Sequence, residues 1–291
     1  MRHLITVDDF TNDEIDDLFK DATIFSSLQS CDMLQGKLVV TLFFENSTRT
    51  RSSFEIASKR LSAKVVNLDI STSSSSKGET IEDTIANLSA MKPDAIIIRH
   101  RNCGLPQSLT KYVKSPLINA GDGKNSHPTQ ALLDLYTIKE HFQNNIKNKK
   151  IAIVGDIKNS RVASSLLSLL PRFGIEPILV APACFMPQTK FKTAKRLEDV
   201  IKDVDIVYSL RTQIERHEQS FYKTLDEFAK EYCVTKDIVK DYDILLMHPG
   251  PVNRNIDITD ELLDDKRCKV LRQVTNGVAV RMAILKKLIK G

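Results

Sequence analysis

The chain of 291 residues contains no tryptophan, no Cys-x-x-Cys pair and no dense run of lysine and arginine. No recognisable nucleic-acid-binding motif is present either, so nucleic acid is excluded as the expected partner. No apolar run approaches the roughly 20 residues that cross a bilayer, which excludes a membrane-spanning helix. The opening MRHLITVDDF lacks the apolar core of a secretion signal. Five scattered cysteines, Cys31, Cys103, Cys184, Cys233 and Cys268, read as reduced thiols rather than a disulfide framework. Together these features predict a cytoplasmic protein. The six histidines lack metal-ligand spacing, so no zinc site is expected. Neither GxxxxGK[ST] nor GxGxxG occurs, which weakens nucleoside triphosphate and dinucleotide readings.

What remains is a mildly basic chain, 42 Lys and Arg against 37 Asp and Glu, with 42% hydrophobic residues. Its length and apolar content suit about two domains with sizeable cores. The net charge of +5 is compatible with small anionic substrates without identifying one.

The apolar pattern predicts the fold class. Thr11-Asn12-Asp13-Glu14 is a capping box, followed by Ile15, Leu18, Phe19 and Ala22 at helical spacing. This predicts a first helix over about 12–28. Continuous apolar runs at 38–44, 65–68, 95–98 and 117–119 read as buried strands with helices between most of them. A second series follows: strands at 151–155, 178–180, 205–210 and 244–247, and a helix at 161–170. An amphipathic helix is expected over 278–289. Strands without alternation are buried on both faces, so the prediction is α/β: two doubly wound domains, each a parallel sheet flanked by helices. The Ser71–Ser76 patch reads as a flexible loop by composition.

One stretch carries chemistry on its face. Phe43-Phe44-Glu45-Asn46-Ser47-Thr48-Arg49-Thr50-Arg51 places hydroxyls and arginines just after a buried strand. A strand-to-helix turn aims free backbone N–H groups and the positive helix end at one point. The guanidinium fork of Arg49 matches phosphate oxygens. Taken alone, the stretch fits an anion cradle and a capped helix with surface arginines equally well. Arg161, Arg211 and Gln213 lie just past predicted strand ends, where ligands of parallel sheets bind. Taken singly, each is more often a surface side chain in an ion pair or hydrogen bond.

Phe44 to Arg51 resembles the FxxSTRTR signature of the carbamoyltransferase family. His127-Pro128-Thr129-Gln130 is similar to that family's HPxQ, and Ser73 to Thr80 to a mobile loop of its aspartate-specific members. Met247-His248-Pro249-Gly250-Pro251 resembles their late proline loop. The motifs occur in family order and span nearly the whole chain. Ornithine-specific members carry HCLP at the late loop and lack a lysine matching Lys77, so the acceptor is expected to be aspartate. An ornithine-type transferase and a non-catalytic anion-binding protein on the same fold are the alternatives.

The resemblance implies a carbamoyl-phosphate-binding domain over 1–129, rejoined by a C-terminal helix at 275–291, and an aspartate-binding domain over 130–274. It implies transfer of a carbamoyl group to the amine of L-aspartate, an early step of pyrimidine synthesis. Ser47, Thr48, Arg49 and Arg99 are expected on the phosphate. Thr50, Arg99 and His127 are expected on the carbamoyl oxygen. Gln130 and the carbonyls of Pro249 and Gly250 are expected on the carbamoyl NH2. Arg161, Arg211 and Gln213 are expected on the aspartate carboxylates. Ser73 and Lys77 are expected to enter the site of a neighbouring subunit, in a homotrimer with shared active sites. Glu45 matches a family position that pairs with an arginine to bridge the domains. A regulatory chain or a dihydroorotase is a further partner that the family raises without deciding. No metal or organic cofactor is required. Gly250 replaces the leucine of the enteric enzyme type, which leaves the carbonyl available but permits a more mobile loop.

Overall fold

The computed structural model describes residues 2–69, 79–212, 222 and 224–291. The chain divides into two units, one comprising 1–136 and 274–291, the other 137–273. The first unit opens with α1 (Asn12–Ser27), β1 (Leu38–Phe43), α2 (Thr48–Arg60) and β2 (Lys64–Asp69). It continues through α3 (Ile81–Ala90), β3 (Ala95–His100), α4 (Leu105–Leu109) and β4 (Leu117–Asp122). Helix α5 (Pro128–His141) leads into the second unit. There β5 (Lys150–Val154), α6 (Arg161–Leu169), β6 (Glu176–Val180), β7 (Lys192–Ala194) and β8 (Ile206–Ser209) follow. Three short elements, α7 (Leu225–Tyr232), α8 (Lys236–Val239) and α9 (Asp260–Leu263), flank β9 (Leu245–Met247). Helix α10 (Val270–Lys290) returns the chain to the first unit.

The first sheet has the order β2-β1-β3-β4 and the second β7-β6-β5-β8-β9. All recorded pairings in both are parallel. The inner strands β1, β3, β5 and β8 are rich in β-branched and aliphatic residues because both faces are covered. Val39, Leu42, Ile96, Ile97 and Ile98 are fully buried in the first sheet, as are Ile151, Ala152, Ile153, Ile206 and Val207 in the second.

The first helix begins where its capping box predicts. Thr11 Oγ1 accepts from Glu14 N, and a Glu14 carboxylate oxygen accepts from Thr11 N. Two elements depart from the sequence pattern. Strand β7 is polar and largely exposed, so no apolar run announces it. Helix α10 begins at Val270 rather than 278, because its first turns expose Leu271 and Val274 and lack a core-facing stripe.

In the second unit, Arg267 closes the chain around the start of β9. It pairs with Asp265 and donates to the carbonyls of Val239 and Tyr242 at 2.6 and 2.9 Å. The guanidinium hydrogen bonds hold the Asp265 carboxyl down at about 2. Its folded pKa lies below its unfolded one, so the contribution is present above pH 4 and is lost as pH falls toward 2. Asp265→Asn should therefore flatten the acid limb of the stability curve between pH 5 and 2. Thermal unfolding across that range, with an unchanged slope in the variant, would refute this.

Candidate active site

Both sheets reverse their winding direction at one place. In the first, the chain steps outward from β1 to β2, then from β3 to β4 on the other side, so the reversal lies between β1 and β3. In the second it lies between β5 and β8. Such switch points, at the carboxyl ends of the strands, open a crevice that receives ligands.

Ser47 to Arg51 leave β1 at the first switch point. Ser47 is the N-cap of α2 and makes no side-chain capping bond. Thr48 and Arg49 are exposed, and Thr50 is buried. Every helix start presents first-turn N–H groups without intrahelical partners, and here the hydroxyl of the cap does not take them. Across the switch point, Arg99 is next to last in β3, beside Phe43. Its Nε donates to Glu45 Oε2 at 3.1 Å and one Nη to the Ala120 carbonyl at 3.2 Å, which fixes the plane of the guanidinium. Glu45 thus pairs with Arg99 within the first unit.

His127 and Gln130 follow β4 on the same edge. The turn that delivers them is built on Asp122, a fully buried carboxylate. Oδ1 accepts from Asn119 Nδ2 at 2.8 Å and Ser126 N at 3.1 Å. Oδ2 accepts from Gly104 N at 2.7 Å and Asn125 Nδ2 at 2.9 Å. Four donors satisfy the charge and hold the turn, as a buried ion demands. His127, buried, then places its carbonyl over the first turn of α5, where Gln130 and Ala131 donate to it. Pro128 suits the first helical position, where no N–H is needed.

Gln130 is oriented from behind. Its Nε2 donates to Asp134 Oδ1 at 3.0 Å, one helical turn on. A carboxylate only accepts, so the amide nitrogen is committed to Asp134 and Oε1 is turned away from it. Arg281 of α10 lies behind this pair. It donates to Ser53 Oγ at 3.0 Å, to the Gly277 carbonyl at 3.2 Å and to Thr129 Oγ1 at 3.5 Å. Its guanidinium lies over the Phe54 ring. Complete burial lowers its pKa to about 10, and the Asp134 charge opposes that drop. A single side chain thereby joins the cradle helix α2, the His127 helix α5 and α10. Neither Asp134 nor Arg281 was singled out from sequence. The usable signal was Arg281 itself, a lone charge inside Val278-Ala279-Val280-Arg281-Met282-Ala283-Ile284-Leu285.

In the second unit, Arg161 opens α6 after β5, with Ser160 capping the helix through Ala163 N. Its side chain is buried. Arg211 follows β8 and Pro249-Gly250 follow β9, the neighbouring strand. Arg161 and Arg211 therefore stand on either side of the second switch point. Gly250 has φ +64°, a left-handed conformation that suits glycine. Ser73, Lys77 and Gln213 lie outside the described residues.

The geometry defines a two-unit α/β protein with hydroxyls and arginines at the strand-to-helix turn of one switch point, and Arg161 and Arg211 on either side of the other. Residues 2–140 match the family described as aspartate/ornithine carbamoyltransferase, carbamoyl-P binding domain. Residues 147–288 match its Asp/Orn binding domain. The chain belongs to the aspartate/ornithine carbamoyltransferase family. It is 62% identical over 290 residues to an aspartate carbamoyltransferase catalytic subunit of Aliarcobacter butzleri, covering 99% of this chain and 98% of that one. The corresponding subunit of Campylobacter lari is 61% identical, with 99% of each chain covered. Among solved structures, the catalytic subunit of M. jannaschii aspartate transcarbamoylase aligns with TM-score 0.89 and 36% identity over 100% of this chain and 98% of that one. The Trypanosoma cruzi enzyme in complex with carbamoyl phosphate and aspartate aligns with TM-score 0.90 and 32% identity, covering 99% and 96%.

The Arg281 contacts make a measurable claim. Arg281→Met should lower the unfolding free energy by about 3 kcal/mol, because it removes three hydrogen bonds from a buried guanidinium, to Ser53, Gly277 and Thr129, and its attraction to Asp134. Ser53→Ala, which removes one hydrogen bond, should cost about 1 kcal/mol. Urea unfolding of the two variants gives both numbers; equal effects would show that Arg281 acts through Ser53 alone.

Proposed function

We propose that this chain transfers the carbamoyl group of carbamoyl phosphate to the amine of L-aspartate, giving N-carbamoyl-L-aspartate and phosphate. The observation that carries the acceptor is the pair Arg161 and Arg211 on either side of the second switch point. Two guanidiniums suit a dicarboxylate and repel the cationic side chain of ornithine. The close relatives named for the aspartate reaction support the same choice.

On this reading Ser47, Thr48 and Arg49, with the first-turn N–H groups of α2, hold the phosphate, and Arg99 lies beside it. Thr50, Arg99 and His127 donate to the carbamoyl oxygen. The neutral amine of aspartate attacks the carbamoyl carbon, and the C=O electron pair moves onto oxygen. Donors aimed at that oxygen stabilise the tetrahedral intermediate more than the substrate, each worth about 3 kcal/mol or a hundredfold in rate. Collapse expels phosphate, whose second pKa of about 6 lets it take the amine proton near neutrality. His127 acts as a positioned donor and not as the base. Gln130 Oε1 and the carbonyls of Pro249 and Gly250 accept from the carbamoyl NH2. Arg161, Arg211 and Gln213 hold the aspartate carboxylates, and Lys77 approaches both substrates. Positioning and electrostatics supply the catalysis.

Ser73 and Lys77 act in the site of a neighbouring subunit, so the working form is a homotrimer in the cytoplasm on the pyrimidine route. No helix among the described residues is long and apolar enough to cross a membrane. A regulatory chain or a dihydroorotase would be an additional partner of that trimer.

Purified protein given carbamoyl phosphate should form ureido product with L-aspartate and none with L-ornithine. Product with ornithine alone would reverse the acceptor assignment. His127→Ala should lower kcat about a hundredfold with aspartate. The shared site has its own test. Arg49→Ala and Lys77→Ala should each be nearly inactive, and mixtures after subunit exchange should regain activity through one intact site. Verified exchange without recovery would place Lys77 in its own subunit's site.

A further inference from the structure

Outside the residues assigned above, the second unit contains a buried carboxylate–imidazole pair with no role in the transfer itself. Both side chains, Asp257 and His248, are 0% exposed. Asp257 Oδ2 accepts from His248 Nε2 at 3.1 Å and from Asn253 N at 2.9 Å. Its Oδ1 accepts from Thr212 N at 3.1 Å. Asn253 Nδ2 returns a bond to the Thr212 carbonyl at 3.0 Å, so the peptide units around Thr212 are gripped on both sides. At the other end, His248 Nδ1 accepts from Gly250 N at 2.8 Å. A backbone N–H can only donate, so Nδ1 is bare and the ring proton sits on Nε2, facing Asp257.

The chain of bonds therefore runs from Gly250 N through the imidazole and the carboxylate to Thr212 N, the residue after Arg211. It joins the loop after β9 to the loop after β8. We propose that Asp257 is a positioning residue, which through His248 and Thr212 sets the spacing of Gly250 and Arg211. The proposal rests on the reading that these two residues meet the carbamoyl group and an aspartate carboxylate. A buried carboxylate with three donors costs desolvation and holds its partners stiffly. Core packing alone would be met more simply by an apolar side chain. Ser209 Oγ and Val234 N both donate at 3.0 Å to the Asp257 carbonyl, not to its carboxylate. They anchor the residue's backbone and leave the side chain to the two loops.

Steady-state kinetics of four variants in the intact assembly, far below their unfolding temperatures, test this. Arg211→Ala should raise KM for L-aspartate strongly. Asn253→Ala, which removes only the bond to the Thr212 carbonyl, should raise KM for L-aspartate about tenfold, one hydrogen bond's worth, and leave KM for carbamoyl phosphate unchanged. Asp257→Asn faces donors with an amide nitrogen and should raise both KM values. Ser209→Ala should lower the unfolding temperature without moving either KM. If Arg211→Ala raises KM for aspartate but Asn253→Ala and Asp257→Asn change only the unfolding temperature, Asp257 is structural and the proposal falls. Should Asp257→Asn fail to fold, Asn253→Ala against Ser209→Ala still decides. If Arg211→Ala leaves KM for aspartate unmoved, the site assignment itself is wrong and the proposal falls with it.

Discussion

Among the described residues every pairing between two strands of a sheet is parallel, and the placement of the site residues follows from that constraint. A parallel strand must be followed by a crossover, so the chain leaves each sheet at the same edge it left before. In the first unit that edge gathers Ser47–Thr50, Arg99 and His127. In the second it gathers Arg161, Arg211 and Pro249-Gly250. No residue of either set is close in sequence to all the others. What brings each set together is strand direction plus the reversal of winding between β1 and β3, and between β5 and β8.

A loop edge of this kind is floppy unless something stiffens it, and here buried charges do so. Asp122 holds the turn before His127 with four donors. Asp134 and Arg281 fix Gln130 from behind. Asp257 ties two loops of the second unit. Each ion would be expensive in an apolar interior, and each is satisfied by groups that it holds in place. The apolar strands supply stability without regard to which side chain points where. The polar nodes supply the orientation.

The sequence made the strands and the cradle legible and left these nodes hidden, for a physical reason. Strands β1 and β3 are runs of Val, Leu and Ile whose burial is local information. The capping box at Thr11 works over three residues. The Ser-Thr-Arg-Thr run is likewise contiguous, and its place after a strand could be read from β1 alone. Asp257 acts on Thr212, 45 positions away, and Arg281 on Ser53, 228 positions away. Partners at such separations are set by tertiary packing, and no local period encodes them. Strand β7 and the first turns of α10 were missed for a related reason: their side chains meet solvent, so they carry no apolar signature.

The commitment of Gln130 Nε2 to Asp134 has a consequence for substrate choice. On the proposed roles, the amide meets the ligand with an acceptor alone. A carbamoyl NH2 offers it an N–H donor, whereas the methyl of an acyl phosphate of the same shape offers none. Had Gln130 been able to rotate, it could have adapted to either by exchanging its ends. Pinned as it is, it would be left with a desolvated oxygen facing carbon, the kind of mismatch that rejects an isostere by far more than size could. On those roles the helix turn between Gln130 and Asp134 would be a chemical filter between nitrogen and carbon at one position of the substrate.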